Sequence, residues 1–374
     1  MSVNSAKRVV DIFLALVKIN STSRNEAAVR VFLLKELRRR GCQPSVDKKG
    51  NIQLTISGAL ANGPVLLFNA HMDTVVPGNN IRPRVLQDRI VSDGTTVLGA
   101  DDKAGVAALL ELLTLLKEKK VLFHKLKIIL TVEEEIGLHG AKALRFQDVQ
   151  ADYCFVLDSD GEVGSVVNKA PAQETVEFRV RGRAAHAGLE PEAGISAIKI
   201  AAAAISRIKT GRIDSETTAN IGIIKGGSAG NIVPDETLVK AEARSHSEPR
   251  LQKQLRSMRA AFQNAAQKFG GAVEITSRRE YDPVRVPPDA PIIKISKMAS
   301  RKMRLPHRVL TTGGGSDASV IFGYGVPTIG LCIGMERVHT RQEYITLRNL
   351  TLLPKYLLEL IKAAHSYERL AVSK

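Results

Sequence analysis

The stretch PVLLFNAHMDTVVPG, Pro64–Gly78, is an apolar run that ends in a histidine, a one-residue gap and an aspartate. Its first half has the composition of a buried strand. Strand side chains alternate faces, so His71 and Asp73 fall on the same side of an extended backbone. An imidazole and a carboxylate held side by side at a strand end are either packing or half of a metal site. The other β-rich runs decide between the two.

Four further segments repeat the arrangement. VLGADDKAG sets Asp101 and Asp102 just before an apolar helix predicted over residues 104–120. KLKIILTV (125–132) runs into Glu133, Glu134 and Glu135. YCFVL ends in Asp158, and VPTIGLCIG (326–334) is followed by Glu336 and His339. Taken singly these residues are unremarked: an aspartate before a helix is usually an N-cap, a role open to Asp102, and a glutamate run is usually a solvated face. In an open α/β sheet, however, ligands bind beyond the carboxyl ends of the strands. Recurrence after successive strands therefore gathers these groups at one edge. Two histidines among several carboxylates suit zinc, with cobalt or manganese as alternatives. Without cations such a cluster repels itself; two divalent ions would keep every carboxylate ionised.

Around these segments, strands alternate with helices over residues 1–172, which predicts an α/β layer architecture. A helix is expected over 26–40, and an N-terminal amphipathic helix has Val9, Ile12, Phe13, Leu16 and Val17 on one face. Residues 173–283 read differently. ETVEFRVRG, GISAIKIAAAAISRIK, ANIGIIKGG, TLVKAEARS, PRLQKQLRSMRAAFQNAAQKFG and AVEITSRREY follow the order β-α-β-β-α-β, a ferredoxin-like split-βαβ unit. Prolines 283, 287, 288 and 291 mark the return, and 284–374 resumes α/β material. The reading is one α/β domain, 1–172 with 284–374, carrying an inserted domain over 173–283.

Composition narrows the partners. Hydrophobic residues make up 44% and charged residues 25%, an ordinary globular balance, and no apolar run is long enough to span a bilayer. Net charge is +16, yet the basic residues are dispersed, aromatics are only 4% and tryptophan is absent, so no stacking set for nucleic acid exists. No nucleic-acid or membrane partner is expected. Three distant cysteines, Cys42, Cys154 and Cys332, form no disulfide framework, which points to a cytoplasmic, reducing setting.

HMDTV, GADDKAG, TVEEEIG, VLDSDG and ERVHTRQEYI resemble, in order and spacing, the metal-binding segments of the M20 di-zinc metallopeptidases, most closely the peptidase T-like (tripeptidase) branch. The resemblance covers nearly the whole chain. It implies a mixed-sheet zinc-peptidase catalytic domain with an inserted lid that also dimerises, and two zinc ions. It implies His71 and Asp158 on one metal, Asp101 bridging both, and Glu135 and His339 on the other. Asp73 resembles the aspartate that orients the histidine, Glu134 the general base that deprotonates water, and a cis peptide is implied just after Asp101. Three glutamates stand where the family pattern has an acidic residue and a working pair. Gly137 favours Glu134–Glu135 over a register slipped by one to Glu133–Glu134. In the inserted domain the resemblance implies substrate contacts from His186, supplied by a partner subunit, and from Asn231 and Arg244. TTGGGSDAS (311–319), with Gly314, resembles the family's glycine loop. The implied activity is hydrolysis of small peptides, first as a tripeptide aminopeptidase. A carboxypeptidase or an N-acyl-amino-acid deacylase would use the same metal centre, and a catalytically silent binding protein would keep the fold alone.

Overall fold

The computed structural model describes residues 3–372. Among these, the larger unit comprises residues 3–168, 285–311 and 316–372, and a second unit comprises 169–284 with 312–315.

The larger unit is built on a mixed sheet. Four parallel strands lie side by side in the order Lys125–Thr131, Val65–His71, Tyr153–Ser159 and Thr328–Cys332. Antiparallel strand Ile52–Ser57 extends one side, and residues 166–167 pair antiparallel with the other. The central strands are buried almost throughout, as parallel strands covered on both faces must be. The chain passes from Val65–His71 to Lys125–Thr131 on one side, then crosses back to Tyr153–Ser159 on the other. This reversal opens a crevice at the carboxyl end of Val65–His71, where His71 stands.

Helix Ala100–Glu118 is buried along most of its length, and its first residues are not helical: the Asp101–Asp102 peptide is cis. Asp102 Oδ1 accepts the N–H of Gly105, an N-cap bond, and Oδ2 accepts the N–H of His71. A short helix, Pro291–Met303, follows the return; its leading proline occupies the first turn, where a missing N–H costs nothing. No described helix is long and apolar enough to cross a membrane.

The second unit is the expected split-βαβ fold. Strands Thr217–Gly226, Glu236–Ser245, Ala172–Arg181 and Ala272–Tyr281 lie antiparallel in that order, with helices Ala197–Ile205 and Glu248–Phe269 packed on them. Phe178 and Phe262 stack across this core at 3.9 Å between ring centroids. The first helix is shorter than its sequence pattern predicts. Ile195 pairs with Arg183 in an extended bridge, and Ser196 caps the helix by accepting the N–H of Lys199. Gly315, rather than Gly314, is the sterically required glycine of its loop: a Cβ at 315 would meet the Tyr281 ring at 2.1 Å, whereas one at 314 would make only an ordinary contact with Thr312 Oγ1 at 3.9 Å.

Candidate metal centre

His71 ends its strand fully buried. Its Nδ1 lies 3.1 Å from the Asp73 carbonyl oxygen and 3.4 Å from Asp73 Oδ1, and its Nε2 lies 3.0 Å from Asp101 Oδ1 and 3.9 Å from Asp158 Oδ1. A ring that donates through Nδ1 leaves the Nε2 lone pair facing Asp101 and Asp158, the arrangement of a metal-ligating histidine with a carboxylate behind it.

Asp101 reaches both ways. Its Oδ1 faces His71, and its Oδ2 lies 3.2 Å from His339 Nε2. The same His339 nitrogen lies 3.0 Å from Glu135 Oε2. The donor atoms of His71, Asp101 and Glu135 all lie within 4.8 Å of one another, and so do those of His71, Glu134 and Asp158. Five separated segments thus converge on one small volume.

The three glutamates have divided surroundings. Glu133 turns to Lys49 Nζ (2.7 Å) and His139 Nδ1 (2.9 Å). Glu134 and Glu135 turn to the cluster, and their backbone N–H groups are both held by Asp73, at 3.0 and 3.3 Å.

The electrostatics of the cluster favour positive charge within it. Burial, then Asp101 and Glu134, pushes Asp158 well above the usual carboxylate range. Burial, with Asp317 and Glu135 adding to it, does the same to Glu134. Burial raises Glu135 against the opposing hydrogen bond from His339, and Glu135 Oε1 is buried with no hydrogen-bond partner. Burial also works on Asp101, but hydrogen bonds from His339 and His71 outweigh it and hold that carboxyl well below the range. Asp101 and Glu135 push the His339 imidazole up to about 10. Nitrogen and oxygen donors, an orphaned buried oxygen and mutually repelling carboxylates fit divalent cations.

Some of the surrounding machinery is not evident from the sequence. Glu343 is buried and accepts three backbone N–H groups of the turn that leads into Asp101. Lys103 is buried with no hydrogen-bond partner for its Nζ, and burial lowers its pKa to about 8 against the pull of Asp73, Glu343, Asp101 and Glu135. Ser23 donates to Asp73 Oδ2 at 2.7 Å. The lysine lies in the quoted GADDKAG and the glutamate in ERVHTRQEYI, but a charged residue beside a ligand reads as surface until its partners are seen.

In the second unit, His186 is exposed. Its Nδ1 accepts the N–H groups of Gly188 and Leu189, which puts the ring proton on Nε2. Asn231 is also exposed, and its carbonyl accepts the N–H of Ala187, so the two loops are paired. Arg244 is half-buried and forks onto Glu242 at 3.0 and 3.1 Å.

The model of peptidase family M20/M25/M40 matches residues 67–363. The chain belongs to this family. It is a peptidase family, and the uncharacterized protein YqjE of Bacillus subtilis (strain 168) is 42% identical to this chain over 96% of it and 98% of its own length. The structure of aminopeptidase PepT from Bacillus cereus ATCC 10987 superposes with a TM-score of 0.86 at 40% identity, covering 96% of this chain and 98% of that one. A tripeptidase from Staphylococcus aureus superposes with a TM-score of 0.90 at 38% identity, covering 96% and 99%.

Proposed function

We propose that this M20 enzyme is a di-metal aminopeptidase that removes one residue from tripeptides. The observation that carries the reading is Asp101, one carboxylate facing two imidazoles through its two oxygens. In this reading His71, Asp101 and Asp158 hold one ion, and Asp101, Glu135 and His339 hold the other, with zinc the first choice. Two ions bound there would polarise a scissile carbonyl and bring the pKa of water towards neutrality. Glu134, left over after ligation, takes the proton of the attacking water and passes it to the leaving amine nitrogen. Asp73 fixes the His71 ring and the backbone of the Glu134–Glu135 turn together. His186, supplied by the partner subunit, supports the developing oxyanion through Nε2–H, and Asn231, Arg244 and the loop containing Gly314 contact the peptide. The tripeptide preference is supported by the likeness to an aminopeptidase and a tripeptidase at about two-fifths identity.

The reading includes a homodimer through the second unit. Its edge strand Thr217–Gly226 is paired on its outer side only at residues 218–219, and Ile223 and Ile224 beyond that point are 42% and 51% exposed. An unpaired apolar edge of this kind is a template for a second chain. A cytoplasmic setting is supported by the free thiols Cys42, Cys154 and Cys332, two of them buried.

The test is turnover, followed by mass spectrometry, of a panel of free di-, tri- and tetrapeptides, N-blocked peptides, C-amidated peptides and N-acyl amino acids, with zinc- or cobalt-loaded protein. Cleavage confined to free-amine tripeptides is expected. Cleavage of N-blocked or N-acyl substrates would move the enzyme to a carboxypeptidase or deacylase activity. No turnover with two ions bound would favour a silent binding protein.

A further inference from the structure

We propose that Glu343 is a positioning residue that fastens the loop carrying His339 to the turn carrying Asp101, and so sets the spacing of the second metal's ligands. The inference rests on the metal centre proposed above. Glu343 is 2% exposed, and both of its carboxylate oxygens are occupied. Oε2 accepts the N–H of Leu98 at 2.7 Å and of Gly99 at 2.8 Å, and Oε1 accepts the N–H of Asp101 itself at 3.0 Å. One side chain thereby gathers three backbone donors of the turn on which Asp101 stands.

The other end of Glu343 is tied to Thr340, the residue next to His339. The Glu343 N–H donates to the Thr340 carbonyl at 3.1 Å. Thr340 Oγ1 donates to the Arg337 carbonyl at 2.7 Å and accepts the N–H of Gln342 at 3.2 Å. The segment 337–343 is therefore closed on itself around His339. His339 needs such an anchor. Its side chain is 52% exposed and its φ is +61°, so packing does not hold the ring. The ring meets Asp101 and Glu135 only if the loop is placed correctly.

A buried carboxylate is the group suited to this task. It presents acceptors on both oxygens, whereas an amide turns an N–H₂ towards a backbone N–H and loses at least one bond. Its charge also faces the buried, unpartnered ammonium of Lys103. Groups that orient ligands from behind typically change metal affinity by about 10–100-fold when altered.

The experiment is a competition titration of metal-free protein with zinc against a chromophoric chelator, repeated with Co(II), whose visible spectrum reports each site. Wild type, Glu343→Gln and Glu343→Asp are compared, and thermal melts of the metal-free proteins check folding. Wild type is expected to bind two equivalents. Both variants are expected to lose roughly 10–100-fold in affinity for one equivalent, with a changed Co(II) spectrum for that site and a smaller change in the other. Asp keeps the charge but withdraws the oxygens by one methylene, so a wild-type result for Asp beside a loss for Gln would overturn positioning in favour of charge alone. Equal weakening of both equivalents with a lowered melting temperature would reduce Glu343 to a general structural role and also overturn it. Wild-type affinities in both variants would sink it directly. If Gln does not fold, Asp decides by the same criteria. Fewer than two equivalents in wild type would fail the metal centre itself, and the inference with it.

Discussion

Asp73 Oδ1 accepts the backbone N–H of Glu134 at 3.0 Å, joining the end of one central strand to the end of its parallel neighbour. The same carboxylate lies behind His71 and takes the N–H of Glu135 and the hydroxyl of Ser23. The proposed ligand, base and second ligand are thus indexed to one buried group. Asp73→Asn keeps the volume but replaces one acceptor oxygen with a donor nitrogen. We expect metal affinity to fall by about 10–100-fold and turnover to fall with it, read by chelator competition and steady-state kinetics on the same preparation.

Glu134 and Glu133 separate base from scaffold. Glu134→Gln should leave metal stoichiometry unchanged and lower kcat by roughly 10²–10⁴-fold, the usual scale of a lost general base. Glu133 is engaged by Lys49 and His139 at the margin of the site. Glu133→Gln should leave kcat within a few-fold of wild type. A collapse of turnover in Glu133→Gln, with Glu134→Gln near wild type, would reverse the two roles.

The sequence made His71, Glu134, Glu135 and Asp158 legible because each ends or closely follows a parallel strand, and such a sheet carries these residues to one edge; Asp101 stands on a turn into a helix and His339 on a loop. What it did not reveal depends on pairings between distant segments. Glu343 acts on backbone groups more than 240 residues earlier in the chain, and nothing local to QEYI distinguishes it from a surface acid. The helix Pro291–Met303 was hidden by the prolines before it, which mark a linker equally well. The helix expected from residue 194 starts late because Ile195 is claimed by a bridge to Arg183, a tertiary contact that outweighs local helical propensity.

Metal binding and pH should be linked. In the metal-free protein, burial raises the carboxyl groups of Asp158, Glu134 and Asp102 above their unfolded values. A folded pKa above the unfolded one gives stability that is present at low pH and lost as pH rises through the folded value. Divalent ions reverse that loss by binding ionised Asp158 and by favouring the charged forms of the carboxylates beside them. The rise in melting temperature on adding zinc should therefore be larger at pH 8 than at pH 5, and a chelator should abolish it. Free metal at a thousand times its Kd would contribute about 4 kcal/mol. A metal effect that is equal at both pH values would contradict the assignment.

His365 supplies an opposite slope, away from the metal centre. Its Nε2 accepts the N–H of His124 at 3.0 Å, so that nitrogen must be unprotonated. Burial first, then Arg369 and His124, holds the ring below its ordinary value. The unfolded pKa is near 6.5, so this contribution is fully present above about pH 6.5 and lost as pH falls through the depressed folded value. His365→Gln keeps an acceptor that does not titrate. Its melting temperature should fall less steeply than that of wild type on acidification below pH 6.5, and parallel curves would remove His365 from the account.

The partner-subunit role proposed for His186 can be tested with two inactive proteins. The ring is exposed, and its Nδ1 is held by Gly188 and Leu189, which leaves Nε2–H directed outward as a donor. If that donor serves the neighbouring subunit, His186→Ala and Glu134→Gln homodimers are both impaired, but a mixed dimer is not. In the mixed dimer, the subunit that keeps Glu134 receives His186 from its partner, while the other site lacks both. Co-expression in equal amounts should give mixed dimers in half of the population with one working site in two, or about a quarter of wild-type turnover. Ile224→Lys, which charges the exposed edge strand, should halve the mass measured by light scattering and prevent this rescue. No recovery in verified mixed dimers would return His186 to its own subunit.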